Sequence, residues 1–172
     1  MQVFGFAGYS GSGKTTLIEQ LIVILRERGL RVSLLKHAHH AFDVDQPGKD
    51  SYRHRQAGAG EVLIASSQRW ALMHELRSEP EPSMAELLSR FSACDLVLVE
   101  GYKQAPIAKL EVYRAALGKP LIHPHDRHIV AVASDGDVDT GLPRLDLNDP
   151  SDIARFICDY LESQHESKPA TL

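Results

Sequence analysis

The chain has 172 residues, 43% of them hydrophobic and 24% charged, a balance that excludes collagen-like, low-complexity and disordered classes and leaves a soluble globular protein. At roughly 150 residues per domain this is one domain with a short excess, long enough to bury about 70% of its unfolded surface without disulfide or metal staples. With 19 Lys and Arg against 23 Asp and Glu the net charge is −4, which argues against a broad footprint for nucleic acid or an anionic membrane, so any anion must be held by a local site.

Residues 3–7 are a short apolar run ended by Gly8, which predicts a buried strand. From Thr15, apolar residues recur at Leu17, Leu21, Ile24 and Leu25, the spacing of an amphipathic helix, and Gly29 supplies its stop. Residues 31–36 then read as a second strand. Strand, helix and strand in that order form a parallel, right-handed crossover, so the fold is α/β.

Residues 37–49 carry histidines, aspartates, Pro47 and Gly48 without periodicity and read as a long polar loop. A short helix is expected over 50–57, and a hairpin from 61–65 and 70–76, joined by Ser66-Ser67-Gln68-Arg69 and placed on the sheet edge. Ser83 and Glu86 have capping-box spacing for a helix over 84–91. Residues 95–100 are apolar between two acids, as in a strand buried on both faces. Further strands are predicted over 107–113 and 129–133, a last helix over 151–161, and a frayed polar tail over 164–172. The expected architecture is a single domain over residues 1–163, with a mostly parallel sheet flanked by helices and an antiparallel edge hairpin.

Cys94 and Cys158 have neither metal-ligand spacing nor the number of a disulfide scaffold, which points to a reducing compartment, by default the cytoplasm. Neither a basic leader nor an 18-residue apolar run is evident, so no targeting or membrane segment is expected.

The chemistry concentrates in Gly8-Tyr9-Ser10-Gly11-Ser12-Gly13-Lys14-Thr15, which matches the glycine-x4-glycine-lysine-serine/threonine pattern of a P-loop. The run leaves a predicted strand and opens a predicted helix, which aims backbone N–H groups and the positive helix end at a phosphate. Lys14 is expected to meet the β and γ phosphates, and the Thr15 hydroxyl to take one position on a magnesium ion. Glu100 ends its strand at the same edge of a parallel sheet and is the candidate acid beside that ion. Asp95 is about 16 Å earlier along an extended strand and falls at the opposite edge.

The loop after the second strand reaches the P-loop edge too, so Lys36, His37, His39, His40, Asp43 and Asp45 can face phosphates, water or an acceptor. Alternatively, His37 and His39 share one face of an extended chain and can bind a transition metal. Arg53, His54 and Arg55 either add positive charge for a second substrate or form a solvated helix face.

Residues 8–16, Leu35-Lys36-His37-Ala38-His39-His40, the run from Phe42 to Pro47-Gly48-Lys49-Asp50-Ser51, and Val99-Glu100-Gly101-Tyr102-Lys103 together resemble the molybdopterin-guanine dinucleotide biosynthesis adaptor protein B family, over residues 1 to about 161. A P-loop alone is shared by many functions; the histidine and aspartate loop with its Pro-Gly-Lys-Asp-Ser ending is far more specific. The resemblance implies a P-loop NTPase-like fold, GTP binding with weak hydrolysis, and magnesium as the working ion. It also implies a homodimer that assists the guanylyltransferase attaching GMP to molybdopterin, with molybdopterin or its guanine dinucleotide form as a further partner. By position, the resemblance puts the nucleotide contacts on Gly11, Ser12, Gly13, Lys14, Thr15 and Thr16, names Lys14, Asp45 and Glu100 as catalytic candidates with Glu100 and Asp45 near the magnesium or water, and sets Thr15 and Glu100 at the metal.

Two departures stand out. The asparagine-lysine-x-aspartate sequence that reads guanine is absent, and Asp135, in Ala133-Ser134-Asp135 after a predicted strand, is the candidate base reader. Tyr9 and Ser10 occupy the region where many dimeric P-loop proteins carry an extra lysine. Two other readings share the phosphate site: a small-molecule kinase, and a binding module in which nucleotide only sets conformation.

Overall fold

A computed structural model describes residues 1–38 and 42–166. The elements in chain order are β1 (Gln2–Ala7), α1 (Lys14–Glu27), β2 (Val32–Lys36), α2 (Asp50–Gln56), β3 (Glu61–Ala65), β4 (Trp70–His74), α3 (Met84–Ser89), β5 (Leu96–Glu100), β6 (Lys109–Tyr113), β7 (Ile129–Ser134), β8 (Arg144–Asp146) and α4 (Pro150–Glu166). They fall into two compact units, Met1–His37 with the chain from Leu87 onward, and Ala38–Glu86.

In the first unit six strands pair in the order β2-β5-β1-β6-β7-β8, every pair parallel. All five residues of β5 are buried, as a strand between two parallel neighbours and two covered faces requires. Helix α1 buries Leu17, Ile18, Leu21 and Leu25. Ile18 takes the place expected of Ile24, which is only partly buried. Ile153, Ala154, Ile157 and Leu161 of α4 belong to the same core as Phe4, Phe6, Leu98 and Leu110.

Two features escape the sequence pattern. Strand β8 is three residues long with Leu145 as its buried residue, too short for alternation to register. Helix α4 starts at Pro150 and runs to Glu166, so Gln164 to Glu166 are helical rather than frayed. Residues 167–172 lie outside the described residues. Among the described residues no helix is long and apolar enough to cross a membrane.

In the second unit β3 and β4 pair antiparallel, with Leu63 opposite Leu72 and Ala65 opposite Trp70. The hairpin forms where expected but stands as a separate two-stranded sheet and does not extend the edge of the large one. Strand β4 alternates exposed and half-buried positions and β3 is exposed at every residue but Val62, whereas the large sheet contains strands such as β5 that are buried throughout. The capping box before α3 is formed: the Ser83 N–H donates to Glu86 Oε2 (2.7 Å) and the Glu86 N–H to Ser83 Oγ (3.2 Å).

Asp95 precedes β5 at the end of the sheet opposite Glu100. It accepts from Arg31 Nε (3.1 Å), Nη2 (2.8 Å) and the Arg31 backbone N–H (2.8 Å). These bonds, the side-chain ones first, hold its pKa at about 2. A carboxylate whose folded pKa is depressed contributes stability above its unfolded pKa and loses it as pH falls through the folded value. Asp95→Asn is therefore expected to lower the thermal midpoint at neutral pH and to lower it much less at pH 2, where the folded-state carboxylate is about half protonated. An equal deficit at both pH values would show that the Arg31 pair contributes nothing through charge.

Candidate functional site

Because every strand of the large sheet runs the same way, β1, β2, β5, β6 and β7 deliver the residues that follow them to one edge. The loop from Gly8 to Gly13 leaves β1 there and enters α1. Gly8 has φ +147°, and a Cβ on it would stand 2.6 Å from the Val112 carbonyl oxygen and 2.8 Å from Ser12 Oγ. Gly13, the N-cap of α1, has φ +95°, and a Cβ on it would meet the Arg114 guanidinium at 3.3 Å. Only glycine lets the loop close so tightly while opening its N–H groups.

Gly11, Gly13, Lys14, Thr15 and Thr16 line a cleft of about 490 Å³ together with Ser10, Lys36 and Glu100. The Lys14 ammonium donates to the carbonyl oxygens of Gly8 (3.0 Å) and Tyr9 (2.8 Å). Burial lowers its pKa, the Glu100 charge opposes that, and Lys103 and Lys36 reinforce it. Ser12 stands apart from these residues. Its N–H is used within the loop by the Tyr9 carbonyl (3.2 Å), and its buried hydroxyl has no partner among the described residues.

Glu100 is only 7% exposed. In register it lies between Phe6 of β1 and Lys36 of β2. The Thr15 hydroxyl donates to its Oε1 (3.1 Å), and the Lys36 ammonium lies 3.4 Å from its Oε2. A buried carboxylate is thus held between a hydroxyl and an ammonium at the mouth of the glycine-rich loop, at the sheet edge expected from strand direction.

Asp135 follows β7 at this same edge, where its Oδ2 accepts from Arg114 Nη1 (2.7 Å). It lines a second cleft of about 480 Å³ with Gly136, Asp137, Arg144, Asp146 and Asn148. Arg114 itself was not foreseen. It follows β6, and its Nε donates to the Ser12 carbonyl (3.0 Å), so one guanidinium ties the glycine-rich loop to Asp135. Its only sequence signal is a basic residue directly after a parallel strand.

His37 donates its backbone N–H to the Glu100 carbonyl (2.8 Å), and its ring lies 4.9 Å from that of Tyr102. Gly101, with φ +98°, admits this contact, since a Cβ there would stand 2.7 Å from the His37 carbonyl oxygen. His39 and His40 lie outside the described residues, and among those described no group of three side chains suits a metal ion. Asp45 belongs to the second unit, where its nearly buried carboxylate pairs with Arg55 Nη2 (2.8 Å). Arg55 also meets Asp43 (2.5 Å) and Glu75 (3.1 Å). Three carboxylates surround that guanidinium, so it carries no spare charge for an anion. Arg53 is exposed, 3.8 Å from Asp50.

Residues 3–135 match the family described as molybdopterin guanine dinucleotide synthesis protein B. The molybdopterin-guanine dinucleotide biosynthesis adapter protein of Escherichia coli (strain K12) is 46% identical over 166 residues, covering 95% of both chains. Its counterpart of the same name from Haemophilus influenzae is 43% identical over 169 residues, covering 96% of this chain and 93% of the relative. A crystal structure of molybdopterin-guanine biosynthesis protein B superposes with a TM-score of 0.74 at 34% identity, covering 93% of this chain and 99% of that one. Bacillus subtilis MobB superposes at 0.72 with 25% identity, covering 94% and 98%.

Proposed function

Because the chain belongs to the molybdopterin guanine dinucleotide synthesis protein B family, we propose that it is an adapter in molybdopterin-guanine dinucleotide biosynthesis. In this reading it binds GTP with magnesium at the loop from Gly8 to Thr15, hydrolyses it slowly, and assists the guanylyltransferase that attaches GMP to molybdopterin. The observation that carries the reading is the convergence of Lys14, Thr15, Thr16 and Glu100 on one cleft at the end of β1.

The donor set fits magnesium. The Thr15 hydroxyl and the Glu100 carboxylate are hard oxygen ligands 3.1 Å apart, and the carboxylate is a buried charge with one ammonium beside it. Magnesium held there supplies charge neutralisation for the phosphate oxygens. The chain's own residues do the rest. Lys14 exchanges the Gly8 and Tyr9 carbonyls for β and γ oxygens, and the loop's N–H groups cradle the inner phosphates. Lys36 keeps the Glu100 carboxylate oriented.

Guanine selection is assigned to Asp135, whose carboxylate can accept from the N1–H and the 2-amine of guanine, groups that adenine lacks. An acceptor left unpaired by the wrong base costs about 1 to 3 kcal/mol, roughly five- to 150-fold in affinity. Calorimetric titration is expected to show GTP binding at least tenfold more tightly than ATP, and Asp135→Ala erasing most of that difference. Equal affinity for both nucleotides in the unmodified protein would remove the guanine assignment and favour the kinase reading. A preference that survives Asp135→Ala would remove only Asp135.

A homodimer is part of the same proposal. Leu63, Leu72 and Trp70 share one face of the hairpin and are 61%, 45% and 66% exposed, an apolar surface that calls for a partner. A monomer by light scattering at micromolar concentration would exclude it.

A further inference from the structure

Lys109, the first residue of β6, is 1% exposed. Its ammonium meets Asp126 Oδ2 (2.5 Å) and donates to the carbonyl oxygens of Lys103 (2.7 Å) and Ala105 (2.9 Å). An ammonium has three N–H donors, and all three are used, which is the condition for keeping a charge out of water. Space for the stem is made on the next strand. Gly5 of β1 is opposite Lys109 in register, and a Cβ on it would stand 2.6 Å from Lys109 Cγ. The pairing of β6 with β7 shifts register between Lys109 and Leu110, a device that re-aims a side chain.

This anchor holds the loop that follows Glu100, and that loop carries Lys103. The exposed Lys103 ammonium lies 5.9 Å from the centroid of the Tyr9 ring, a weak surface contact that a phosphate oxygen outcompetes. Tyr9 is the residue whose carbonyl holds the Lys14 ammonium. Lys103 is also among the charges that depress the Lys14 pKa, after burial and against Glu100. Two ammonium groups brought to one residue repel each other until an anion joins them. Since the P-loop lysine marks the β and γ end of a triphosphate, a second ammonium beside Tyr9 shares that end.

We propose that Lys109 is a positioning residue that fixes the loop of residues 101–105, and that Lys103, so placed, is a further ligand for the terminal phosphate of the nucleotide. The inference rests on the phosphate-site reading above and adds to it a second charge and the anchor that places it.

The test is titration of the full-length protein with a non-hydrolysable GTP analogue and with GDP. Lys103→Ala is expected to weaken the analogue about tenfold and GDP by less than about twofold, with Lys103→Arg retaining most of the affinity. Lys109→Met with Asp126→Asn, which removes both charges of the ion pair together, is expected to reproduce the analogue-specific loss, and adding Lys103→Ala to it to cost nothing more. Analogue binding unchanged by Lys103→Ala, or equal losses for analogue and GDP, would overturn the Lys103 assignment. Losses that add in full would overturn the role given to Lys109. Lys14→Ala separates the two levels. If it abolishes the analogue's advantage while Lys103→Ala is silent, the phosphate site stands and this inference fails; if neither variant matters, the phosphate site fails and the inference with it.

Discussion

Lys14→Ala is expected to weaken GTP binding by about ten- to 150-fold while changing GMP affinity by less than about twofold, as read by calorimetric titration. A hydrogen bond to a charged group contributes roughly 1.5 to 3 kcal/mol, which converts to that range. In the proposed reading the lysine charge meets the β and γ oxygens, and a monophosphate has neither. In the structure the ammonium rests on the Gly8 and Tyr9 carbonyls, acceptors that water can serve when the side chain is removed, so the loop should keep its shape. Equal losses for GTP and GMP would displace Lys14 from the outer phosphates.

Thr15→Ala and Glu100→Gln should each raise the magnesium concentration needed for GTP binding or turnover by about ten- to 100-fold, the usual range for losing a ligand or its orienting partner. Thr15→Ala removes the hydroxyl that now donates to Glu100. Glu100→Gln removes the only negative charge among the residues lining that cleft and leaves the Lys36 ammonium without its ion-pair partner. Asp95→Asn is the control, because Asp95 sits at the other end of β5 and is bound by Arg31. Magnesium dependence lost with Asp95→Asn and kept with Glu100→Gln would reverse the assignment of the two acids.

Much of the site can be read from strand direction alone. In a parallel sheet the residue at the end of an apolar strand arrives at one known edge, which is why Glu100, Asp135 and the glycine-rich loop were expected together and Asp95 apart from them. The same rule stops short of partners. Lys36 flanks Glu100 because β5 inserts between β1 and β2, and no local pattern announces which strands become neighbours. The hairpin shows the complementary limit, since its turn and the pairing of its two strands are local while its standing as a separate sheet is not.

Lys109 is the sharpest case. It falls inside the strand expected over 107–113, where a lysine by itself gives no sign of burial, yet it is buried, because Gly5 clears room for its stem and Asp126 and two carbonyls complete its donors. What the sequence determined by itself was the glycine-rich loop and the elements around it: eight consecutive residues whose glycines, lysine and hydroxyl match a P-loop pattern, and strands and helices written in short-range periodicity. What only the tertiary structure decided were the bonds made across the chain, from Thr15 to Glu100 over 85 positions and from Arg114 to Ser12 over 102. Their energy depends on distances of about 3 Å, which chain folding sets and residue order does not encode locally.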